Sequence, residues 1–209
     1  GNILTIKDAV NNYSAEAVRV FLLSSHYQSP IDYSQESLKS AESELDRFYT
    51  TLEKMENNWA SVISGAINED RKKERIKSFI NAMDDDFNTA AVIGFIFKEI
   101  NEVNRLMDDA AKSGIGKEFK EVFPIIRVIF KEMSGILGVF NRTPQEYFQE
   151  KKSRSNIPAD EIEKLIAQRN EARKTKDFTK ADAIRKELEE KGILLEDTSK
   201  GTIWRIKAT

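Results

Sequence analysis

Apolar residues recur along the first 140 positions of this chain at spacings of three and four, then give way near its end to two short apolar-rich segments. The first pattern gathers apolar side chains on one face of a 3.6-residue helical period, and the second is that of short strands. Thr5, with Asp8 three residues on, and Ser14, ahead of Val18, Phe21 and Leu22, can accept from the free N–H groups of a first helical turn. They predict two helix starts, and Pro30 closes that segment. Ser34 opens a long helix whose stripe is Leu38, Ala41, Leu45, Phe48, Leu52, Met55, Trp59 and Val62. The polar stretch from Gly65 to Arg71 interrupts it, and Ile76, Phe79, Ile80 and Met83 resume the pattern for about three turns.

After a loop at Asp84 to Asn88, Thr89 is expected to cap a helix carrying Val92, Phe95, Ile96, Ile100, Val103, Leu106 and Met107, ended by Gly114 and Gly116. The next holds Phe119, Val122, Ile126, Ile129, Met133 and Leu137, with Gly138 as its stop and Pro124 as a kink or a late start. Such helices cannot bury their stripes singly, and their short connections predict an antiparallel bundle. Asn141 to Ile157 show no sustained period and read as a flexible basic linker. Beyond Pro158, two short helices (Ile162, Leu165, Ile166; then Ala181, Ile184, Leu188) lead through Gly192 to a hairpin of Ile193 to Glu196 and Thr202 to Ile206. The fold class is therefore mainly α, a helical bundle followed by a small α+β C-terminal domain with a β-hairpin. Its segments are 1–33, 34–141, 142–157 and 158–209.

Composition narrows what such a fold can do. The 209 residues carry a formal net charge of −2, so no global positive field draws the chain to nucleic acid. With no cysteine and one histidine, disulfides and thiolate zinc sites are excluded, and the composition fits the cytoplasm. No apolar run reaches the roughly 20 residues of a membrane span. No GxxxxGK[ST] loop is present to cradle a phosphate.

Charge is instead local. From Ile166 to Lys186 there are seven basic residues (Arg169, Arg173, Lys174, Lys176, Lys180, Arg185, Lys186) and three acidic ones, a local charge of +4. Such a patch can neutralise phosphates, or it can be a solvated helix face. Ile162, Ile166, Arg169 and Arg173 fall on one narrow arc, so the arginines prolong an apolar stripe and are either ion-paired or at the mouth of a groove. Phe178 can stack on a splayed base or staple the helical hairpin. Asp182, three residues after Thr179, suits a helix cap, and Asp197 suits a turn; either carboxylate can also accept from a base amino group. Trp204 can pack on the two helices or line a binding face. Asp84, Asp85 and Asp86 lack the alternation of a calcium loop and read better as part of a helix entry. His26 has no second ligand or triad partner nearby. The acidic balance and long apolar stripe also allow a helical protein-interaction module.

Three collinear blocks sharpen this. They are Val18-Arg19-Val20-Phe21-Leu22-Leu23-Ser24-Ser25-His26-Tyr27-Gln28-Ser29-Pro30, preceded by Gly1-Asn2 and the Thr5 cap; Met83-Asp84-Asp85-Asp86-Phe87-Asn88-Thr89; and Ala167-Gln168-Arg169-Asn170-Glu171-Ala172-Arg173 with Lys176-Asp177-Phe178, Ala181-Asp182, Ile184-Arg185, Leu195-Glu196-Asp197-Thr198, Gly201-Thr202 and Trp204. Together they resemble the cysteinyl-tRNA synthetases over nearly the whole chain. The resemblance implies that the first block is a stem-contact segment following the KMSKS loop, that the bundle lies on the anticodon side, and that the tail reads the GCA anticodon of tRNA(Cys). By position Arg173, Phe178, Asp182 and Asp197 match anticodon-contacting places; with Arg169, Arg185 and Trp204 they form the expected tRNA-binding set. Phe178 stands where tryptophan is common, Gln28 where many members have arginine, and Ala90 where proline is frequent. The HIGH motif, the KMSKS lysines and the family's zinc ligands are absent, so no catalytic or metal residue is expected here. Zinc and ATP are implied only for the catalytic domain, which with tRNA(Cys) is the implied partner, and this chain alone is expected to be catalytically inactive.

Overall fold

The structure, a computed structural model, describes residues 5–155, 157–198 and 201–206; Gly1 and Asn2 of the first block lie outside them. The chain divides into two compact units, 1–144 and 145–209.

In the first unit, α1 (Ile6–Asn12) starts from a reciprocal cap in which Thr5 and Asp8 satisfy each other's backbone N–H, and α2 (Ala15–Leu23) starts from Ser14. Helix α3 (Gln35–Ile63) begins at Ser34 as expected and carries a non-helical residue, Trp59, where its indole meets Phe119 with ring centroids 4.9 Å apart. Helices α4 (Glu69–Asp84), α5 (Thr89–Ser113) and α6 (Lys117–Leu137) complete the bundle, with α3, α5 and α6 in mutual contact and α4 packed on α5 and α6. Leu45, Met55, Ile96, Ile100, Phe123, Ile126, Ile129 and Met133 are fully buried between them. Each such side chain contributes about 1.5–3 kcal/mol by leaving water.

Three local readings shift. The cap of α5 is Asn88, whose Oδ1 accepts from the N–H of Ala91 at 3.0 Å, rather than Thr89. Asp86 and Phe87 both take positive φ, which completes the turn one residue earlier than the apolar pattern suggested. Pro124 is not a late start, because α6 begins seven residues before it and the ring is buried in the bundle. Ile80, counted in the stripe of α4, is exposed.

Gly138 ends α6 in the left-handed region at φ 68°, and its carbonyl accepts from Arg19 Nη1 at 2.7 Å. The backbone angle favours glycine there, and a Cβ would stand 2.8 Å from the same nitrogen and displace the end of the Arg19 side chain. A buried carboxylate makes the other tie to α2. Glu16 accepts from the Tyr49 hydroxyl at 2.8 Å and from the backbone N–H of Phe140, with Arg142 Nε at 3.8 Å. Burial first, and then the Glu16 charge, push the Tyr49 hydroxyl far above the ordinary tyrosine range.

The expected linker is a correction: it contains a helix, α7 (Pro144–Ser153). Proline suits a first helical position, and Pro144, Tyr147 and Lys151 form a buried face at helical spacing. One of the three is a lysine, which hid the period.

In the second unit, α8 (Ala159–Lys174) and α9 (Phe178–Glu190) form a helical pair, and β1 (Ile193–Thr198) and β2 (Gly201–Ile206) form an antiparallel hairpin packed on them. Its core is Ile162, Ile166, Ile184, Leu188, Ile193 and Trp204. The helices are mainly responsible for the mass and the single hairpin for the β content, the expected fold class.

Candidate nucleic-acid interface

The site lies where the apolar face of the hairpin runs out. Side chains alternate along strands, so Ile193, Leu195 and Asp197 of β1 share a face with Thr202, Trp204 and Ile206 of β2. The register pairs Leu195 with Trp204 and Asp197 with Thr202. The same change of character runs along α8, from Ile162 and Ile166 to Arg169 and Arg173. Helix and hairpin therefore meet through carbon at one end and through charge at the other.

At the charged end, Arg169 grips Asp197 with two parallel bonds, Nη1 to Oδ1 and Nη2 to Oδ2, both 2.9 Å. Arg173, one turn on, donates from Nη1 to Oδ2 at 2.7 Å, and the Thr202 hydroxyl donates to Oδ1 at 2.8 Å. That hydroxyl also lies 3.2 Å from Asn170 Oδ1. Hydrogen bonds from Arg169, then from Thr202, hold the Asp197 carboxyl well below the usual carboxylate range, against the opposing effect of burial.

The two arginines differ in what water can reach. The Arg169 side chain is 5% exposed, while those of Arg173 and Asp197 are 46% and 42% exposed. A half-exposed ion pair contributes about 0–1 kcal/mol, whereas removing one partner of a buried pair costs several. Arg169 is thus a fixed part of the fold, and Arg173 is held lightly.

The helix junction beside them is tighter than expected. Lys176 at φ 62° and the bond from Asp177 N–H to the Ala172 carbonyl end α8, and Asp177 caps α9 by accepting from the N–H of Lys180 at 3.0 Å. The cap reading at Thr179 and Asp182 is corrected accordingly: both stand inside α9, and Asp182 is exposed. Its charge acts on Arg169. Phe178, the first residue of α9, is 60% exposed, which removes the staple alternative. Arg185 is exposed on α9.

Trp204 belongs to the core at 3% exposure, its indole N–H donating to Glu163 Oε1 at 2.8 Å and Lys152 Nζ lying 4.5 Å from its ring centre. The structure therefore groups Arg169, Arg173 and Asp197 directly, with Asp182 acting on Arg169 through space, and leaves Trp204 beneath the surface. Thr202 and Asn170 stand in the third sequence block but are not among the expected site residues. A pairing diagram placing Thr202 opposite Asp197 was the signal that could have found the first.

A second polar junction lies in the other unit. Asp86 accepts from the Tyr27 hydroxyl and from Gln28 Nε2, each at 2.8 Å, and His26 stacks on Tyr27 with ring centres 4.9 Å apart. The aspartate run thus joins the segment after α2 to the turn before α5. Among the described residues no group of three or more His, Cys, Asp or Glu side chains could hold a metal ion, and no helix is long and apolar enough to cross a membrane.

Known proteins place this arrangement. Residues 1–43 match the model of the tRNA synthetases class I (C) catalytic domain, residues 78–141 that of the DALR domain, and residues 158–205 that of the cysteinyl-tRNA ligase anticodon binding domain. The matched segments together are those of a class I aminoacyl-tRNA synthetase, its anticodon binding domain included. The chain is 42% identical over 215 residues to the cysteine–tRNA ligase of Thermodesulfovibrio yellowstonii, covering 99% of this chain and 44% of that protein. It is 38% identical over 217 residues to that of Geobacter metallireducens, with the same shares, and 39% identical over 205 residues to that of Histophilus somni strain 129Pt, covering 98% and 40%. The chain belongs to the cysteine–tRNA ligase family. It spans less than half the length of the curated relatives it matches.

Proposed function

We propose that this chain is the tRNA-contacting part of a cysteine–tRNA ligase, whose whole form joins cysteine to tRNA(Cys) with ATP in the cytoplasm. Residues 1–33 serve as the stem-contact segment, 34–141 as the anticodon-side bundle and 158–209 as the reader of the anticodon. The observation that carries this reading is the half-exposed Arg173–Asp197 pair, with the exposed Phe178 at the start of α9, within the segment matching an anticodon binding domain. Arg173 and Asp182 contact the RNA, Phe178 stacks on a splayed base, Asp197 accepts from a base amino group, and Arg185 contributes phosphate affinity. Arg169 and Trp204 act from beneath, by holding Asp197 and the hairpin. Zinc and ATP belong to the catalytic domain of the whole ligase, not to the residues of this chain.

That catalytic domain is also the proposed partner in cis. A groove of about 250 Å³ lined by Ile6, Ala9, Val18, Phe21, Leu22 and Tyr33 lies in the stretch matching the catalytic-domain model, and its exposed Ile6 and Leu22 suit burial against the remainder of that domain.

Binding of tRNA(Cys) and of an anticodon-substituted version, each across a salt series, tests the reading. Preference for the matched RNA at every salt is expected, with log affinity falling as log salt rises. Equal affinity for both would overturn anticodon reading.

A further inference from the structure

Resting on that reading, we propose that Arg173 is an exchangeable plug on Asp197: RNA binding moves Arg173 onto the RNA and a base amino group takes its place on Oδ2, while Arg169 and Thr202 hold the carboxylate still. A carboxylate offers about four acceptor positions, two on each oxygen. In the free protein all four are taken, by two bonds from Arg169, one from Arg173 and one from Thr202. A base cannot be read by this group until one donor leaves.

The surroundings decide which. Arg169 is enclosed and bonded to both oxygens, and Thr202 is fixed by the hairpin register opposite Asp197. Arg173 alone makes a single bond from a half-exposed side chain, in the last turn of α8, ahead of the exposed Phe178 that opens α9. Its departure leaves one acceptor position of Oδ2 uncovered. The released guanidinium is charged and half-exposed, so the exchange replaces one charge-assisted bond by two, Arg173 to RNA and base to Asp197. Arg169 and Thr202 are positioning residues in this scheme. Without them the carboxylate can still accept a proton donor, but its plane is no longer set.

The test uses the whole chain and an anticodon stem-loop RNA bearing GCA, alongside three versions in which one anticodon base at a time lacks its exocyclic amino group: inosine for guanosine, 2-pyrimidinone for cytosine, purine for adenine. One of the three substitutions is expected to weaken binding to the wild-type protein about tenfold, as loss of one base contact does. Arg173→Ala should weaken every RNA and keep that tenfold ratio, since the plug is gone but the reader remains. Thr202→Val should shrink the ratio to below about threefold, and Arg169→Lys likewise. Circular-dichroism melting confirms that each variant is folded. As a second measurement, guanidinium NMR of the wild type should show the Arg173 N–H signals shifting on addition of RNA while those of Arg169 stay in place.

Loss of the ratio in Arg173→Ala, or an unchanged ratio in Thr202→Val, overturns the exchange while leaving tRNA recognition intact. So does an Arg173 signal that does not move. Failure of the wild type to prefer the GCA loop over one of scrambled anticodon overturns the tRNA reading itself.

Discussion

Asp197 is where the stability of the second unit and its proposed recognition role meet in one residue. Its carboxyl titrates near 3.9 in an unfolded chain and lower in the folded one, so below about pH 4 the unfolded state binds more protons. The stabilisation is complete above the unfolded value and is lost as pH falls through and below it. Urea unfolding of a Trp59→Phe variant, followed by Trp204 fluorescence, should give a flat stability between pH 7 and 5 that declines below about 4, with a shallower decline once Asp197→Asn is added. The same substitution leaves the enclosed Arg169 short of its counter-charge, which should cost about 1–3 kcal/mol at pH 7, reduced from the fully buried case because solvent reaches Asp197. Phe178 separates the two properties instead. Phe178→Ala should leave urea stability within about 0.5 kcal/mol, because the ring is mostly in water, yet weaken binding of the GCA stem-loop by about 1–3 kcal/mol.

Among the elements, α2 is held by two polar ties rather than by its apolar face alone. Glu16→Ala removes the acceptor of both the Tyr49 hydroxyl and the Phe140 N–H, and leaves those donors buried. A loss of about 2–4 kcal/mol in the first unit is expected, measurable by thermal melting. Gly138→Ala should cost about 1–2 kcal/mol there, through the left-handed backbone and displacement of Arg19. These ties also mark where sequence reading stopped. Periodicity found the stripes of α3, α5 and α6 because packing there is done by carbon, and side-chain oxygens announced the starts at Thr5, Ser14 and Ser34. It missed α7, whose buried face includes Lys151, and it misplaced the start of α9, because the left-handed Lys176 shortened the junction. Glu16 was unreadable, since a buried glutamate looks like any other until its donors from 33 and 124 residues away arrive. The arc of Arg169 and Arg173 was visible from helical spacing. Their common partner Asp197 was not, because an ion pair across 28 residues has no local signature.

For the molecule as a whole, a net charge of −2 with a local +4 stretch from Ile166 to Lys186 concentrates positive field on the second unit. That unit carries its own core, so residues 145–209 produced alone should unfold cooperatively in urea, though with small stability for about 65 residues. A gradual, non-cooperative change in Trp204 fluorescence would show that this core needs the first unit. The Asp197–Thr202 pairing has one more consequence, for assembly. A hairpin whose strand slips by one residue turns Glu196 or Thr198 toward α8 and sends Asp197 out to solvent, stranding Arg169 without a counter-charge. Only the native alignment satisfies that arginine, so the charged end of the hairpin acts as a checksum on the folding of the apolar end.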